Sequence, residues 1–372
     1  MNGAHDAIVS ALRSPAVPCR ASIGTDPRAL AAAAAHHRVL VLLGSLLRAA
    51  GTLDTWPTAF IDAFLAAERE AVAIDCVRQV ELTRVLAALR SRRIGALAFK
   101  GAALAHTHYA APHLRPRTDT DLLVAAADVW ALDETFADLG YERQRESSGR
   151  LLSYQSHYGR RDRHGIFHAF DMHWKISNRQ ALADRFTFEE LWKRRIPLAA
   201  LDPWAATVDP VHALMLALVH RAHHPGSRDL LWIYDLHLLV SGLTDADRQR
   251  AEALASSRGL RQIASDGLEL ARDAFATPAI DRMLDTLSRR PVHGEDVSVI
   301  RGAASQTDLL YVDLQALPTW RERRRLIREH LFPAPSYIRG KYGVRSTLLL
   351  PILYAWRVVA GAPKWLRRNQ PL

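Results

Sequence analysis

The chain has 372 residues, 49% hydrophobic and 24% charged, a balance that excludes a disordered or low-complexity protein and allows two or three domains. Lysine and arginine number 49 against 39 acids, a net charge of +10 that favours an anionic partner: a nucleotide, a nucleic acid or a membrane surface. The two cysteines, Cys19 and Cys76, stand far apart, which argues against a zinc motif or a disulfide framework.

The opening "MNGAHDAIVSALRSP" lacks a basic stretch followed by an apolar core, so export is not indicated and a cytoplasmic setting is expected. Residues 1–92 are alanine- and leucine-rich and read as helices. In the longest, "AFIDAFLAAEREAVAIDCVRQVELTRVLAALRSRR", apolar residues return every three or four positions with few breakers. The pattern changes at Gly95. "IGALAF" fits a short buried strand, and "KGAALAHTHY" a helix entered through a glycine. "TDTDLLV" reads as a second strand, and "ADVWALDETFADLG" as a helix closed by Gly140. Three segments with strand-like alternation follow: "YERQRE", "LSYQSHYGRRD" and "IFHAFDMHWKIS". From residue 179 to 372 the pattern is helical again, beginning with "PVHALMLALVHRAHH" and "RDLLWIYDLHLLVSGL". The expected fold class is therefore α+β, a small mixed sheet at residues 93–178 flanked by helical regions at 1–92 and 179–372. Near the end, "STLLLPILYAWRVVAGA" is interrupted by Pro351 and Arg357 and is shorter than the ~20 apolar residues of a membrane span. It reads as a buried or surface-docked helix.

Successive side chains of a strand point to opposite faces, so Asp119 and Asp121 share one face while Thr120 and Leu122 share the other. Two like charges so placed call for something positive between them: a hard divalent cation that prefers oxygen ligands, the nearby Arg115 and Arg117, or water alone. Asp171 in "FHAFDMHWKI" is the candidate third carboxylate, because an aspartate among apolar strand residues is costly unless it is paired or metal-bound. His173 shares its face. In "FKGAAL", a glycine between strand and helix lets backbone N–H groups approach an anion at the positive end of the helix dipole, with Lys100 alongside. Together these describe a phosphate cradle facing a metal clamp.

His220, His223 and His224 share a helix end, and Arg228, Trp232 and Asp235 follow at helical spacings. The histidines offer zinc-type donors, but no cysteine accompanies them and a structural network accounts for them as well. "RERRRLIREH", residues 321–330, is the nearest approach to a nucleic-acid track; it lacks interleaved aromatics, and a solvated helix face explains it equally.

The order "LAFKGAALAHTHYAAPHLRPRTDTDLLV" then "FDMHWKI" resembles the DNA polymerase β-type nucleotidyltransferase superfamily. It is most similar to a branch of uncharacterised bacterial nucleotidyltransferases with the pattern K-G, R-P-x-x-D-x-D-L-L-V, D-x-H-W. "HRAHHPGSRDLLWIYDLHLL" and "LFPAPSYIRGKYG" resemble the helical second half of that branch. The resemblance implies transfer of a nucleoside monophosphate from an NTP, ATP first, to an unknown small molecule, peptide or protein. It implies that Asp119, Asp121 and Asp171 serve as catalytic groups and ligands to Mg2+ or Mn2+, and that Lys100, Gly101 and Arg115 bind the nucleotide. His173, Arg228 and Asp235 would shape the acceptor pocket. The alternatives are a catalytically silent nucleotide-binding or antitoxin-like regulatory protein, and a nucleic-acid-modifying nucleotidyltransferase. The chain departs from the superfamily at Ala102, where a small polar residue is usual, and in a longer interval between Gly101 and Asp119.

Overall fold

A computed structural model describes residues 2–18, 26–144, 151–224, 227–288, 306–344 and 346–366. The N-terminal helical patterns become α1 (Asn2–Arg13), α2 (Pro27–His36), α3 (Leu40–Ala49) and the long α4 (Thr58–Ser91). α2 starts where the Asp26 carboxylate accepts from the Arg28 amide and Pro27 pre-sets the first turn. α4 serves two layers. Phe60 and Phe64 near its start join one apolar cluster, while Leu82, Val85 and Leu89 near its end join another beneath the sheet.

The sheet comprises β1 (Ala96–Ala98), β2 (Thr120–Val124), β3 (Glu142–Arg143), β4 (Gln155–Arg161), β5 (Phe167–His173), β6 (Ile196–Pro197) and β7 (Ala206–Thr207). Its order is β3-β4-β5-β2-β1-β7-β6. β2 runs antiparallel to β1 and parallel to β5, so the sheet is mixed, as the order of helical and alternating segments leads one to expect. β6 and β7 lie in "RIPLAALDPWAATV", where the periodicity predicts only helical structure. Strands of two residues are too short to display a period of two, and β7 is held by pairing with β1 across a long sequence interval. Between strands lie α5 (Lys100–Thr107) and α6 (Leu132–Asp138).

All five residues of β2 are buried, because the sheet is covered on both faces. Leu122, Val124, Phe170 and Met172 face the cluster formed with the end of α4 and with α6. Leu123 faces the other side, toward the C-terminal helices, and alternation puts Asp121, Asp171 and His173 on that side too. Those helices are α7 (Gln180–Ala183), α8 (Phe188–Lys193), α9 (Pro210–Ala222), α10 (Leu230–Gly242), α11 (Asp245–Ser257), α12 (Arg261–Phe275) and α13 (Pro278–Ser288), then α14 (Gln306–Ala316), α15 (Trp320–Leu331), α16 (Pro335–Tyr342) and α17 (Leu350–Leu366). Asp209, Asp229 and Thr244 cap α9, α10 and α11 by accepting from amides of the first turn. One apolar core runs from Ile8 of α1 through α9, α10 and α12 to Val312 of α14, so the N-terminal and C-terminal helices share packing on this face of the sheet.

Among the described residues no single helix is long and apolar enough to cross a membrane. α2 and α3 pass by composition only as a pair bent by 114°, and Leu30, Ala34, Leu43 and Leu47 within them are wholly buried in the core. The apolar segment at 346–362 forms a helical turn and most of α17, which packs on α14 and α16 with much of its apolar surface left exposed. Cys76 is an exposed free thiol, and Cys19 lies outside the described residues.

Candidate functional site

The parallel register of β2 and β5 sets Asp121 beside Asp171, and β4 sets His157 beside Asp171 from the other side. His157, Asp171 and Asp121 therefore form a row across three strands. Asp119 stands two residues before Asp121 and lines the same cavity. β1 leads directly into α5, where the Phe99 amide donates to the Asp121 carbonyl and Lys100 opens the helix. Lys100 holds φ at +52°, a left-handed backbone that a residue with a Cβ adopts only against a cost of about 1–2 kcal/mol. Its side chain is held at the other end. Nζ donates to Asp121 Oδ1 at 2.6 Å, and His173 Nε2 donates to the same oxygen at 2.9 Å.

The charges in this row are unevenly served. Burial works to raise the Asp121 pKa, but the Lys100 ammonium and the His173 bond outweigh it and hold that carboxyl well below the usual carboxylate range. Asp119 lacks such a bond. Burial and then the negative charges of Asp121 and Asp171 push it up to about 6. Asp171 accepts from His157 Nδ1 at 2.5 Å, while His157 Nε2 accepts from the Gln155 side-chain amide at 2.9 Å. One donor atom from each of Asp121, Asp171 and His173 lie within 4.8 Å of one another, the only such metal-capable group among the described residues. Crowded carboxylates with one weakly compensated member fit a hard divalent cation, which would relieve their repulsion.

Arg115 and Gly101 meet directly. A Cβ on Gly101 would lie 2.2 Å from Arg115 Nη1, so the absent side chain is what lets the guanidinium lie against α5. Arg115 donates from Nη2 to Asp235 Oδ2 at 2.6 Å and from Nε to Asp235 Oδ1 at 3.2 Å, and Tyr109 donates its hydroxyl to Asp235 at 2.7 Å. The pair is almost wholly buried, with side chains 7% and 4% exposed. Asp235 and Tyr109 around it hold the Arg115 proton even more firmly than usual, although burial opposes them. The resemblance implies a phosphate contact for Arg115; it lines the cavity while Nε and Nη2 donate to the two oxygens of Asp235. Arg117 is different. It pairs with Asp75 at 3.3 Å, yet its buried Nε and Nη2 meet no acceptor. Arg78 donates to the Arg117 carbonyl.

These residues line a cavity of about 490 Å³ between the sheet and the C-terminal helices. Lys100, Gly101, Arg115, Asp119, Asp121, Asp171 and His173 are all on its wall, and Asp235 closes it from α10. His173 sits behind Asp121, edge-on to Phe99, so it braces the carboxylate. Arg228 lies apart: it is exposed on the segment before α10 and does not line the cavity. Facing the acids, His220 and His224 pack around Trp232, with the Arg38 guanidinium 5.2 Å from the Trp232 ring. Burial and then the Lys100 charge drive His220 well below the ordinary histidine range. His223 turns elsewhere, donating from Nδ1 to the Val219 carbonyl and accepting from Ser177 at Nε2, both at 2.7 Å.

Residue types and strand alternation point to the acidic row and to the Lys-Gly turn. They miss His157 and Arg38, and they offer Arg117 as a partner for the acidic pair although it turns to Asp75. "LSYQSHYGRRD" shows that Gln155 and His157 share a face, but nothing local says that this strand lies against Asp171.

A family model described as "Uncharacterised nucleotidyltransferase" matches residues 24–276. Among curated proteins no match is found.

Proposed function

Because the chain belongs to this family of uncharacterised nucleotidyltransferases, we propose that it transfers a nucleoside monophosphate from an NTP, ATP first, to an acceptor hydroxyl, releasing pyrophosphate. The observation that carries this reading is the row of Asp121 and Asp171 on adjacent strands, with Asp119 in the same cavity and the start of α5 beside them. Asp119, Asp121 and Asp171 would hold Mg2+ or Mn2+, which when bound supplies charge neutralisation on the triphosphate. Lys100 brings a fixed positive charge to the edge of that site, and the start of α5 offers backbone N–H groups to phosphate oxygens. The unpaired donors of Arg117 support it, rather than Arg115, as the arginine nearest to a phosphate role. Asp171, oriented by His157, is the carboxylate to accept a proton from the acceptor. Trp232 and the histidines opposite the acids offer a flat, partly apolar wall for a base or an acceptor.

One observation favours a second reading, a catalytically silent nucleotide-binding protein: the Lys100 ammonium occupies Asp121 Oδ1, where a cation would compete with it. One experiment separates the two. The purified protein is incubated with magnesium and each labelled NTP, and pyrophosphate release and label transfer are scored beside Asp119→Asn and Asp121→Asn. Turnover lost in both variants is the expected result. Metal-dependent NTP binding without turnover would establish the silent protein, and neither binding nor turnover would refute both.

A further inference from the structure

The family model's match ends at residue 276, and the surface beyond it is distinguished by its charge and exposed apolar residues. Residues 331–372 contain seven lysines and arginines and no aspartate or glutamate, in a chain whose whole net charge is +10. Within this acid-free stretch α17 and the turn before it present Leu348, Ile352, Trp356 and Val359 to solvent, 86%, 65%, 60% and 66% exposed. Spacings of four, four and three residues align them as one stripe. The opposite face of the helix is docked: Tyr354 donates to the Pro333 carbonyl at 2.5 Å and its ring meets Phe332. The apolar surface continues through Phe332 onto α15, where Ile327 and Leu331, one turn apart, are also exposed. Arg324 and Arg328 lie exposed between and beside them, and Lys341 is exposed at the end of α16.

We infer that α15 to α17 dock on the surface of an anionic phospholipid bilayer. Aliphatic side chains at helical spacing, a tryptophan among them and basic residues well in excess of acids around them are the combination that an interfacial helix requires. The hydrocarbon boundary takes the stripe, and the headgroup phosphates take the cations. A second copy of this chain is disfavoured as the occupant, since two strongly net-basic segments would repel. A nucleic acid would match the charge but offers nothing to leucine, isoleucine and valine. α17 has 17 residues with Arg357 within it, which suits lying in the interface and not crossing it.

The test is co-sedimentation of the full-length protein with vesicles of phosphatidylcholine alone or mixed in equal parts with phosphatidylglycerol. Binding is expected to the mixed vesicles, to weaken with added salt, and to be slight on phosphatidylcholine alone. Ile352→Asp with Trp356→Ser should weaken partitioning by about tenfold or more, and Arg324→Glu with Lys341→Glu should do so separately. These positions are exposed, so unchanged melting temperatures check that both variants keep the fold. Absence of binding to mixed vesicles overturns the inference, as does binding indifferent to both variants. So does a stable dimer, or RNA binding, in place of vesicle binding.

Discussion

Gly101→Ala is the sharpest probe of how the site is braced. Helical glycine replaced by alanine ordinarily stabilises by about 0.5–1 kcal/mol, because the unfolded chain loses freedom. Here the new Cβ would lie 2.2 Å from Arg115 Nη1 and 2.9 Å from its Cζ, where ordinary contacts are about 3.5–4.0 Å. Arg115 would have to retreat by more than about 1 Å. It is fixed on the far side by two bonds to Asp235, itself held by Tyr109. If the guanidinium bends and keeps its partner, the cost is that of overpacking, about 1–3 kcal/mol. If the buried pair opens, the cost rises to about 3–5 kcal/mol. After subtracting the alanine gain, the expected destabilisation centres on about 1 kcal/mol if the guanidinium bends and about 3 kcal/mol if the pair opens. Urea unfolding followed by tryptophan fluorescence reads this as a lower midpoint. Gly3→Ala in α1, where an added Cβ meets nothing within 4 Å, should move the midpoint slightly upward and isolates the steric effect. A Gly101→Ala protein as stable as the wild type would refute the close packing of Arg115 on α5.

Asp235→Ala leaves the Arg115 charge buried without its partner and should cost about 3–5 kcal/mol in the same unfolding assay. Asp119→Asn removes one of three crowded carboxylates; it should stabilise the metal-free protein by about 1–2 kcal/mol at pH 7.5, allowing for partial solvent screening, while abolishing nucleotidyl transfer. A metal-free Asp119→Asn protein less stable than the wild type would contradict the crowding. His157→Ala should lower the transfer rate about 10–100-fold through misplacement of Asp171, with partial rescue by His157→Asn, whose amide can still donate. Burial holds His223 down at about 4 against an ordinary 6.5, so the fold favours the neutral ring. Its contribution is complete above pH 6.5 and is lost as pH falls toward 4, about 2 kcal/mol between pH 7 and pH 5. Urea midpoints of wild type and His223→Gln at those two pH values should converge at the lower one; parallel loss in both proteins would place the titration elsewhere.

The sequence by itself determined which residues share a face within the longer strands and where the first helical region gives way to strand, because both follow from local geometry; β6 and β7 left no such mark. Alternation puts Asp171 with His173 and sets Leu122 against Asp121 on the far side of β2; Asp119, expected in the same strand, lies in the bend before β2 and reaches the same cavity from there. The order of helical and alternating patterns points to an α+β protein with a mixed sheet among helices. Tertiary structure alone decided which strands lie side by side, since β2 and β5 are brought into register across some fifty residues that carry no mark of their pairing. That register aligns His157 with Asp171 and Asp171 with Asp121. It also decided that Arg115 turns to Asp235, 120 positions away, leaving Arg117 with unpaired donors. An arginine's partner is chosen by the charges that folding brings within reach, and neighbours in sequence have no advantage in that choice. The left-handed turn at Lys100 has the same origin: its own residue type argues against it, and its side-chain bond to Asp121 of β2 holds it.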